Sequence, residues 1–195
     1  MALTMRERAF RPALIAAVLA HTPTVVLDVG CGTGKLAGRL AAAAPETRVI
    51  GIDGDEQVLA LGAARVAGFG ERVRLLAGLA DELPLADSSV DVVVASLLLH
   101  HLPPSAKLAA LAQARRVLTP GGRLVIADWG PPHDPVMRAA FFALQLLDGF
   151  ANTRDHAAGA IPALIVKAGF AEVALEQRWR TVWGSLEMLS ATRDG

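Results

Sequence analysis

Cysteine and unbalanced charge are both scarce in this sequence of 195 residues. Its one cysteine, Cys31, excludes an internal disulfide framework and a cysteine-rich metal site. The 19 basic residues balance 19 acidic residues, and no block of like charge occurs. Nothing in the composition therefore indicates nonspecific binding to nucleic acid or to an anionic membrane.

Long hydrophobic runs are also absent. The longest uncharged stretch, residues 12–27, is interrupted by His21 and Pro23 and is shorter than the roughly 20 residues that span a bilayer. The N-terminus loosely resembles a secretory signal, but Glu7 lies in its basic part. Phe10, Leu14 and Val18 recur at the spacing of an amphipathic helix instead. We therefore expect a cytoplasmic protein without a membrane span.

The chain does contain enough apolar material for a core. Hydrophobic residues make up 53% of it and charged residues 19%, which excludes an intrinsically disordered chain. At roughly 150 residues per domain, the length predicts a single domain over residues 1–195.

Strand-like and helix-like segments alternate along the chain. Strands are predicted over residues 24–29, 48–53, 72–77, 90–96 and 123–128. Helices are predicted over residues 33–44, over residues 55–66 with Asp55 as N-cap, and from an N-cap at Ser105 to a turn at residues 119–122. Helical crossovers imply an α/β, doubly wound, parallel sheet, which binds ligands at the carboxyl ends of its strands.

The C-terminal part has a different pattern. Asp134 is predicted to cap a helix whose inner face carries Val136, Ala140 and Leu147. After a further short helix, apolar residues alternate along two runs separated by Gly184, which predicts a final antiparallel hairpin.

A glycine-rich segment follows the first predicted strand. Asp28 lies near the end of the strand, and Gly30, Gly32 and Gly34 follow, with Cys31 between the first two. Glycines let the backbone approach a ligand closely. The dinucleotide fingerprint requires a glycine at its sixth position, where this sequence has a lysine, or an alanine when counted from the second glycine.

Two carboxylates indicate the kind of ligand. Asp28, beside the glycine turn, would repel a pyrophosphate and suits an ammonium group. The second strand ends at Asp53, where a carboxylate can accept hydrogen bonds from both hydroxyls of a ribose. The pair fits a ligand with a ribose and a positive charge, and S-adenosylmethionine supplies both.

With these residues the chain resembles the class I S-adenosylmethionine-dependent methyltransferases, in the small-molecule branch that includes quinone-biosynthesis C-methyltransferases. The resemblance runs over residues 25–192. Further segments match in order and spacing: residues 78–85 (GLADELPL), residues 88–102 with their His-His-Leu ending, residues 118–128 with a Pro-Gly-Gly turn, and residues 168–170 (AGF). It implies a Rossmann-like three-layer sandwich with a mostly parallel seven-stranded sheet and a C-terminal antiparallel hairpin.

The resemblance also implies which residues bind the cofactor, S-adenosyl-L-methionine. Asp28 would hold the methionine amino group, directly or through water, and Asp53 the ribose. Gly54 stands where relatives have an apolar residue against adenine, and Leu79 where they often have an aspartate, for which Asp81 is a possible substitute. The full set is Asp28, Gly30, Cys31, Gly32, Gly34, Asp53, Gly54, Leu79, Ala80, Ser96 and Leu97.

We expect methyl transfer to a small-molecule acceptor by in-line displacement. His101 is the first and His100 the second candidate for a general base, because imidazole titrates near neutral pH; alternatively one of them caps the next segment. Trp129 and His133 are predicted to line the acceptor pocket. No metal is expected, because the histidine spacing fits no zinc signature. No nucleic-acid partner is expected, and the oligomeric state stays open.

Within this domain we predict an N-terminal lid helix (residues 1–22), a cofactor-binding core (23–128), an acceptor-side lid (129–169) and the terminal hairpin (170–195). Two other functions remain. One is a cofactor-binding protein without catalysis, such as a regulatory subunit. The other is a nucleotide-dependent oxidoreductase, against which the glycine spacing and Asp28 count.

Overall fold

The computed structural model describes residues 7–195 and contains a seven-stranded sheet with the order β3-β2-β1-β4-β5-β7-β6. The strands are β1 (Val25–Val29), β2 (Arg48–Asp53), β3 (Val73–Ala77), β4 (Val90–Ser96), β5 (Leu118–Gly130), β6 (Ala171–Thr181) and β7 (Gly184–Thr192). The first five run parallel, and β7 pairs antiparallel with both β5 and β6. The predicted sheet, with its C-terminal hairpin, is confirmed.

Seven α-helices cover the two faces of this sheet within the described residues. They are α1 (Glu7–Leu19), α2 (Lys35–Ala43), α3 (Glu56–Val66), α4 (Pro104–Val117), α5 (Pro135–Asp148), α6 (Phe150–Ala157) and α7 (Ile161–Lys167). Neighbouring strand residues point to opposite faces, so Val26 packs in the core with α1 and α2, whereas Leu27 packs in the core with α4 and α7. Burial on both faces explains why the central strands are almost uniformly apolar.

The strand order reverses at β1, which lies between β2 and β4. The carboxyl ends of parallel strands meet at one edge of the sheet, and four of them carry polar residues there: Asp28, Asp53, Ser96 and Asp128. Ligands bind to sheets of this kind in the crevice at such a reversal. The fold therefore gathers residues from four separate parts of the sequence at one place.

Helix α4 and strand β5 begin differently from the prediction. Ser105 is not a cap: α4 begins at Pro104, after Pro103, and Pro at the first helical position needs no N–H partner. Strand β5 starts at Leu118 and passes through the predicted turn at residues 119–122 with an irregular register. It also continues to Gly130, so residues 129 and 130 belong to the sheet and not to a lid.

The inner face of α5 was predicted wrongly. Val136 and Leu147 are 70% and 73% exposed, Ala140 is half-buried, and the buried residues are Met137, Phe141 and Leu144. Apolar side chains occur all around this helix, so the sequence pattern does not single out one face. The predicted cap at Asp134 is confirmed, since its carboxylate accepts a hydrogen bond from the N–H of Met137.

Helix α1 contributes to the core. Phe10, Leu14 and Val18 are fully buried, as their spacing predicts. The centroid of the Phe10 ring lies 6.2 Å from that of the Trp179 ring, in an edge-to-face arrangement. Its role as a lid stays a prediction, and residues 1–6 of that predicted segment lie outside the described part. Among residues 7–195, no helix is both long enough and apolar enough to cross a membrane.

Candidate active site

The turn after β1 depends on glycine at three positions. Gly30, Gly32 and Gly34 have φ angles of +70°, +53° and +65°, which side chains rarely adopt. A Cβ on Gly30 would also lie 2.7 Å from the side chain of Leu98. The turn therefore holds its backbone close to the end of β4 and leads directly into α2.

Cys31 fills the space inside this turn. A Cβ on the neighbouring Gly51 would lie 2.8 Å from its Sγ atom, so the thiol occupies room that only a glycine leaves. Burial and, to a lesser extent, the carboxylates of Asp28 and Asp53 raise the pKa of the Cys31 thiol to about 12. A thiol held neutral in this way packs the turn and is a poor nucleophile.

Asp28 is a buried carboxylate at the base of the turn. Only 1% of the residue is exposed, and its Oδ2 atom has no hydrogen-bond partner in the described protein. Burial raises its pKa to about 7, with Asp53 adding to the shift, while Arg11 and the backbone N–H of Ala37 favour the ionised form. Such a group gains strongly from a cationic ligand.

Ser96 presents a second buried polar atom at this edge. Its Oγ atom, at the end of β4, has no hydrogen-bond partner in the described protein. Buried polar atoms are nearly always paired, so two unpaired ones on neighbouring strands indicate that a polar ligand completes them. Asp28 Oδ2 and Ser96 Oγ thus fit the amino and carboxylate groups of the methionine part of S-adenosylmethionine.

Asp53 is held in position by the backbone around it. Its Oδ2 accepts a hydrogen bond from Gly32 N–H at 2.8 Å, and its Oδ1 accepts one from Asp55 N–H at 3.0 Å. Each carboxylate oxygen has a further lone pair, so two neighbouring hydroxyls can still donate to it. The half-buried side chain therefore suits a ribose.

Gly54 and Leu79, the two residues that differ from the family pattern on the expected adenine side, lie next to each other. A Cβ on Gly54 would lie 3.1 Å from the Cδ2 atom of Leu79, and Leu79 is 57% exposed. Leu79 therefore lies beside the surface that Gly54 leaves open, and it supplies apolar contact where Gly54 cannot. Ala80 is half-buried beside it, and Asp81 is exposed.

The segment after β4 connects the glycine turn to the end of β5. Leu97 adopts a left-handed conformation with φ +58°, and its N–H donates to the carbonyl oxygen of Ala127 at 2.8 Å. A positive φ at a leucine is strained and is tolerated where the surrounding structure enforces it. The turn directs Leu98 onto Gly30 and His100 toward Asp128.

Asp128 and His100 form a buried pair. His100 Nδ1 lies 2.6 Å from Asp128 Oδ1, and the carboxylate also accepts hydrogen bonds from the N–H groups of Leu99 and Trp129, both at 2.8 Å. Burial opposes ionisation of Asp128, but His100, His156 and these hydrogen bonds outweigh it and hold the pKa below its usual range. The ionised carboxylate fixes the proton of His100 on Nδ1, so Nε2 is the basic nitrogen.

The other residues predicted for the acceptor side differ in their burial and contacts. His101 is exposed, and its ring centroid is 3.9 Å from that of His100. Trp129 is 3% exposed and packs in the core under α1 and α5. His133 is exposed, and its Nδ1 lies 2.8 Å from Ser185 Oγ. The acceptor-pocket roles of Trp129 and His133 therefore stay predictions.

Sequence reasoning missed Asp128, the side chain of Ser96 and the influence of Arg11. Asp128 follows the same rule as Asp28 and Asp53, an acid at the carboxyl end of a buried strand, so that signal was available. Its pairing with His100 was not, because it requires β4 and β5 to be neighbours. Within residues 7–195, no group of three or more His, Cys, Asp or Glu side chains is arranged to hold a metal ion.

Known proteins share both the sequence and the fold. A methyltransferase domain family matches residues 26–122. A Methylobacterium nodulans protein named ubiquinone/menaquinone biosynthesis C-methyltransferase UbiE is 34% identical, and the match covers 86% of this chain and 74% of that protein. A demethylmenaquinone methyltransferase of Deinococcus radiodurans is 36% identical, over 69% of this chain and 55% of the relative.

Several of these relatives are longer than the part that matches, and the chain spans about half the length of the Deinococcus protein. Among solved structures, the YcgJ protein of Bacillus subtilis superposes with a TM-score of 0.77 at 19% identity, covering 95% of this chain and 98% of that one. At that identity the likeness shows the fold alone. The sequence relatives go further: the chain belongs to the class I S-adenosylmethionine-dependent methyltransferases, in the branch that resembles the quinone-biosynthesis C-methyltransferases.

Proposed function

We propose that this chain transfers a methyl group from S-adenosylmethionine to a small-molecule acceptor. The observation that carries the proposal is the pair of carboxylates flanking the glycine turn: Asp28, buried with an unpaired oxygen, and Asp53, held by backbone N–H groups. One suits an ammonium group and the other a ribose, which is the combination that this cofactor presents.

When bound, S-adenosylmethionine would supply a methyl group already activated on a sulfonium, with the neutral thioether of S-adenosylhomocysteine as the leaving group. The protein then has two tasks: to hold the acceptor near the methyl group and to remove the acceptor's proton where attack requires it. Positioning alone lowers the barrier by several kcal/mol. Asp28, Ser96 and Asp53 would fix the cofactor for this purpose.

His100 is the base that the geometry favours. Asp128 orients the ring and fixes its tautomer, so Nε2 can take the acceptor proton and the resulting imidazolium is stabilised by the carboxylate at 2.6 Å. His101, ranked first from the sequence, is exposed and lies against this ring, tilted by 44°. In this arrangement His101 shields the pair from water while His100 carries the proton.

The names of the relatives suggest the acceptor class. The similar Deinococcus and Methylobacterium proteins are named for demethylmenaquinone and for ubiquinone or menaquinone biosynthesis. We propose a reduced quinone precursor, a hydroxylated aromatic ring with an ionisable proton. The rings of Phe142 and Phe150 pack edge to face with their centroids 5.5 Å apart, and both are partly exposed. They offer an apolar surface on the acceptor side.

The test measures cofactor binding and methyl transfer separately. Calorimetry with S-adenosylmethionine, S-adenosylhomocysteine and NAD is expected to show binding of the first two only. With a reduced short-chain demethylmenaquinone as acceptor, His100→Gln should lower kcat by about 10²- to 10⁴-fold while cofactor affinity is retained. His101→Gln should have the smaller effect.

Each other outcome has a clear meaning. Binding of NAD in place of S-adenosylmethionine would favour the oxidoreductase and overturn the proposal. Cofactor binding without release of S-adenosylhomocysteine from any aromatic acceptor would favour a regulatory protein. A larger loss from His101→Gln than from His100→Gln would restore the order predicted from the sequence.

A further inference from the structure

Helix α6 directs polar side chains into the protein. Thr153 and His156 are fully buried, although the helix is short and contains charged residues. Thr153 bonds to the helix's own start, through the carbonyl oxygen of Gly149 at 2.7 Å. The other inward-facing polar side chains of α6 form hydrogen bonds with other structural elements.

Two of these hydrogen bonds go to the backbone next to His100, the proposed general base, and next to its partner Asp128. Asn152 Nδ2 donates to the carbonyl oxygen of His101 at 3.0 Å, and His156 Nδ1 donates to the carbonyl oxygen of Trp129 at 2.7 Å. His101 directly follows His100, and Trp129 directly follows Asp128. One helix thus holds the chain beside both members of the pair.

A buried lysine anchors α6 in this position. Lys107 of α4 is fully buried, and its Nζ donates to Asp155 Oδ2 at 3.1 Å and to the carbonyl oxygen of Asn152. Because Lys107 is fully buried, removing Asp155 would leave its charge uncompensated, so the pair fixes where α6 lies. Asp155, which pairs with Lys107, and the two side chains that donate to the backbone lie on adjacent turns of α6.

The ring of His156 also lies against the pair itself. Its centroid is 6.1 Å from that of His100, nearly perpendicular, and its Nε2 is buried without a hydrogen-bond partner in the described protein. Asp128 of β5, Lys107 of α4 and His100 are the charged or titratable groups that face it. Burial lowers the pKa of His156, while the neighbouring carboxylate of Asp128 opposes that shift.

We propose that Asn152 and His156 are positioning residues for the His100–Asp128 pair, acting through the two backbone carbonyls, with Lys107 as the anchor of their helix. This inference rests on the proposed function. Helix α6 then lies between the acceptor side of the molecule and the base, so that acceptor binding against α5 and α6 and proton transfer depend on one element.

The experiment compares three substitutions in α6 with one control. His156→Leu removes the donor to Trp129, His156→Asn keeps a donor near the position of Nδ1, and Asn152→Ala removes the donor to His101. Arg154→Ala, an exposed position on the same helix, is the control. NMR of the histidine rings in the ligand-free protein reports the tautomer and titration midpoint of His100, and steady-state kinetics report kcat, KM and their pH dependence.

The proposal predicts that His156→Leu and Asn152→Ala move the His100 titration midpoint and the pH profile of kcat together, and lower kcat about 10- to 100-fold at unchanged KM. His156→Asn restores most of both, and Arg154→Ala changes neither. A lowered melting temperature with an unmoved His100 signal would overturn it. If His156→Leu does not fold, Asn152→Ala decides on the same criteria.

Failure of the proposed function would look different. A wild-type protein that transfers no methyl group would still show the NMR response in the variants, because that signal needs neither cofactor nor acceptor. Active wild-type enzyme with unmoved His100 signals in the folded variants would reject the positioning role alone.

Discussion

Asp28 destabilises the ligand-free protein when it is ionised, and the same charge favours binding of a cationic cofactor. Burial raises its pKa to about 7, so above about pH 7 the carboxylate is ionised in a fully buried position. Because the folded-state pKa lies above the unfolded value of about 4, its contribution to stability is complete below about pH 4 and is lost as the pH rises through about 7. A cationic ligand would reverse this penalty.

The substitution Asp28→Asn separates the two effects. In the ligand-free protein it should raise the melting temperature at about pH 8 more than at about pH 6, because the amide cannot ionise. It should also weaken S-adenosylmethionine binding by about 10- to 100-fold, since the ammonium loses its charged partner. Thermal unfolding at the two pH values and calorimetry measure this, with the exposed Asp194→Asn as control. A lower melting temperature at about pH 8 would contradict the account.

Asp53 is tested against its neighbour Asp55, which caps α3 by accepting from the N–H groups of Gln57 and Val58. Asp53→Ala should weaken S-adenosylhomocysteine binding by about 10- to 100-fold, because two ribose hydroxyls lose their acceptor. Asp55→Ala should cost about 1 kcal/mol of stability and leave the affinity nearly unchanged. Calorimetry and urea unfolding distinguish them, and equal affinities for Asp53→Ala and wild type would refute the ribose assignment.

Among the structural elements, β5 and β7 approach each other closely at Gly130. A Cβ there would lie 2.2 Å from the carboxyl carbon of Glu187, which is 6% exposed and bonded to Arg178 Nε at 2.7 Å. Glycine at this position therefore leaves room for the buried Glu187 carboxylate, paired with the exposed Arg178, beside the end of β5 and opposite Asp128.

Gly130→Ala should displace Glu187 and lower the free energy of unfolding by about 1–3 kcal/mol. The matched control is Gly68→Ala, where a Cβ would meet nothing within 4 Å and φ is not positive, so the change should stay within about 0.5 kcal/mol. Urea unfolding of both variants provides the comparison. Equal stability of the two would mean that Glu187 relaxes freely.

Structural features with a local signal could be predicted from the sequence, whereas those that depend on the strand order could not. Strand β4 was predicted with its observed bounds, Val90–Ser96, because a continuous apolar run defines a buried strand. The carboxylates Asp28 and Asp53 follow from strand ends, a purely local signal. The pair of His100 and Asp128 could not be predicted, because its members are 28 positions apart and meet only through the strand order.

At the scale of the whole molecule, the sheet separates two tasks. The reversal of strand order at β1 places the glycine turn, Asp28 and Asp53 on the cofactor side. Strands β4 and β5 bring His100 and Asp128 together beside them, and the helices after β5 cover that end. A methyl donor and a proton acceptor can therefore be held by neighbouring strands of one rigid sheet.

The central claim is that Asp28 and Asp53 hold opposite ends of one adenosyl sulfonium molecule. A crystal structure with S-adenosylmethionine tests it most directly. The account predicts the methionine amino group within hydrogen-bond distance of Asp28 Oδ2, directly or through one water, and both ribose hydroxyls on Asp53. Cofactor bound elsewhere, or bound here with neither carboxylate in contact, would contradict it.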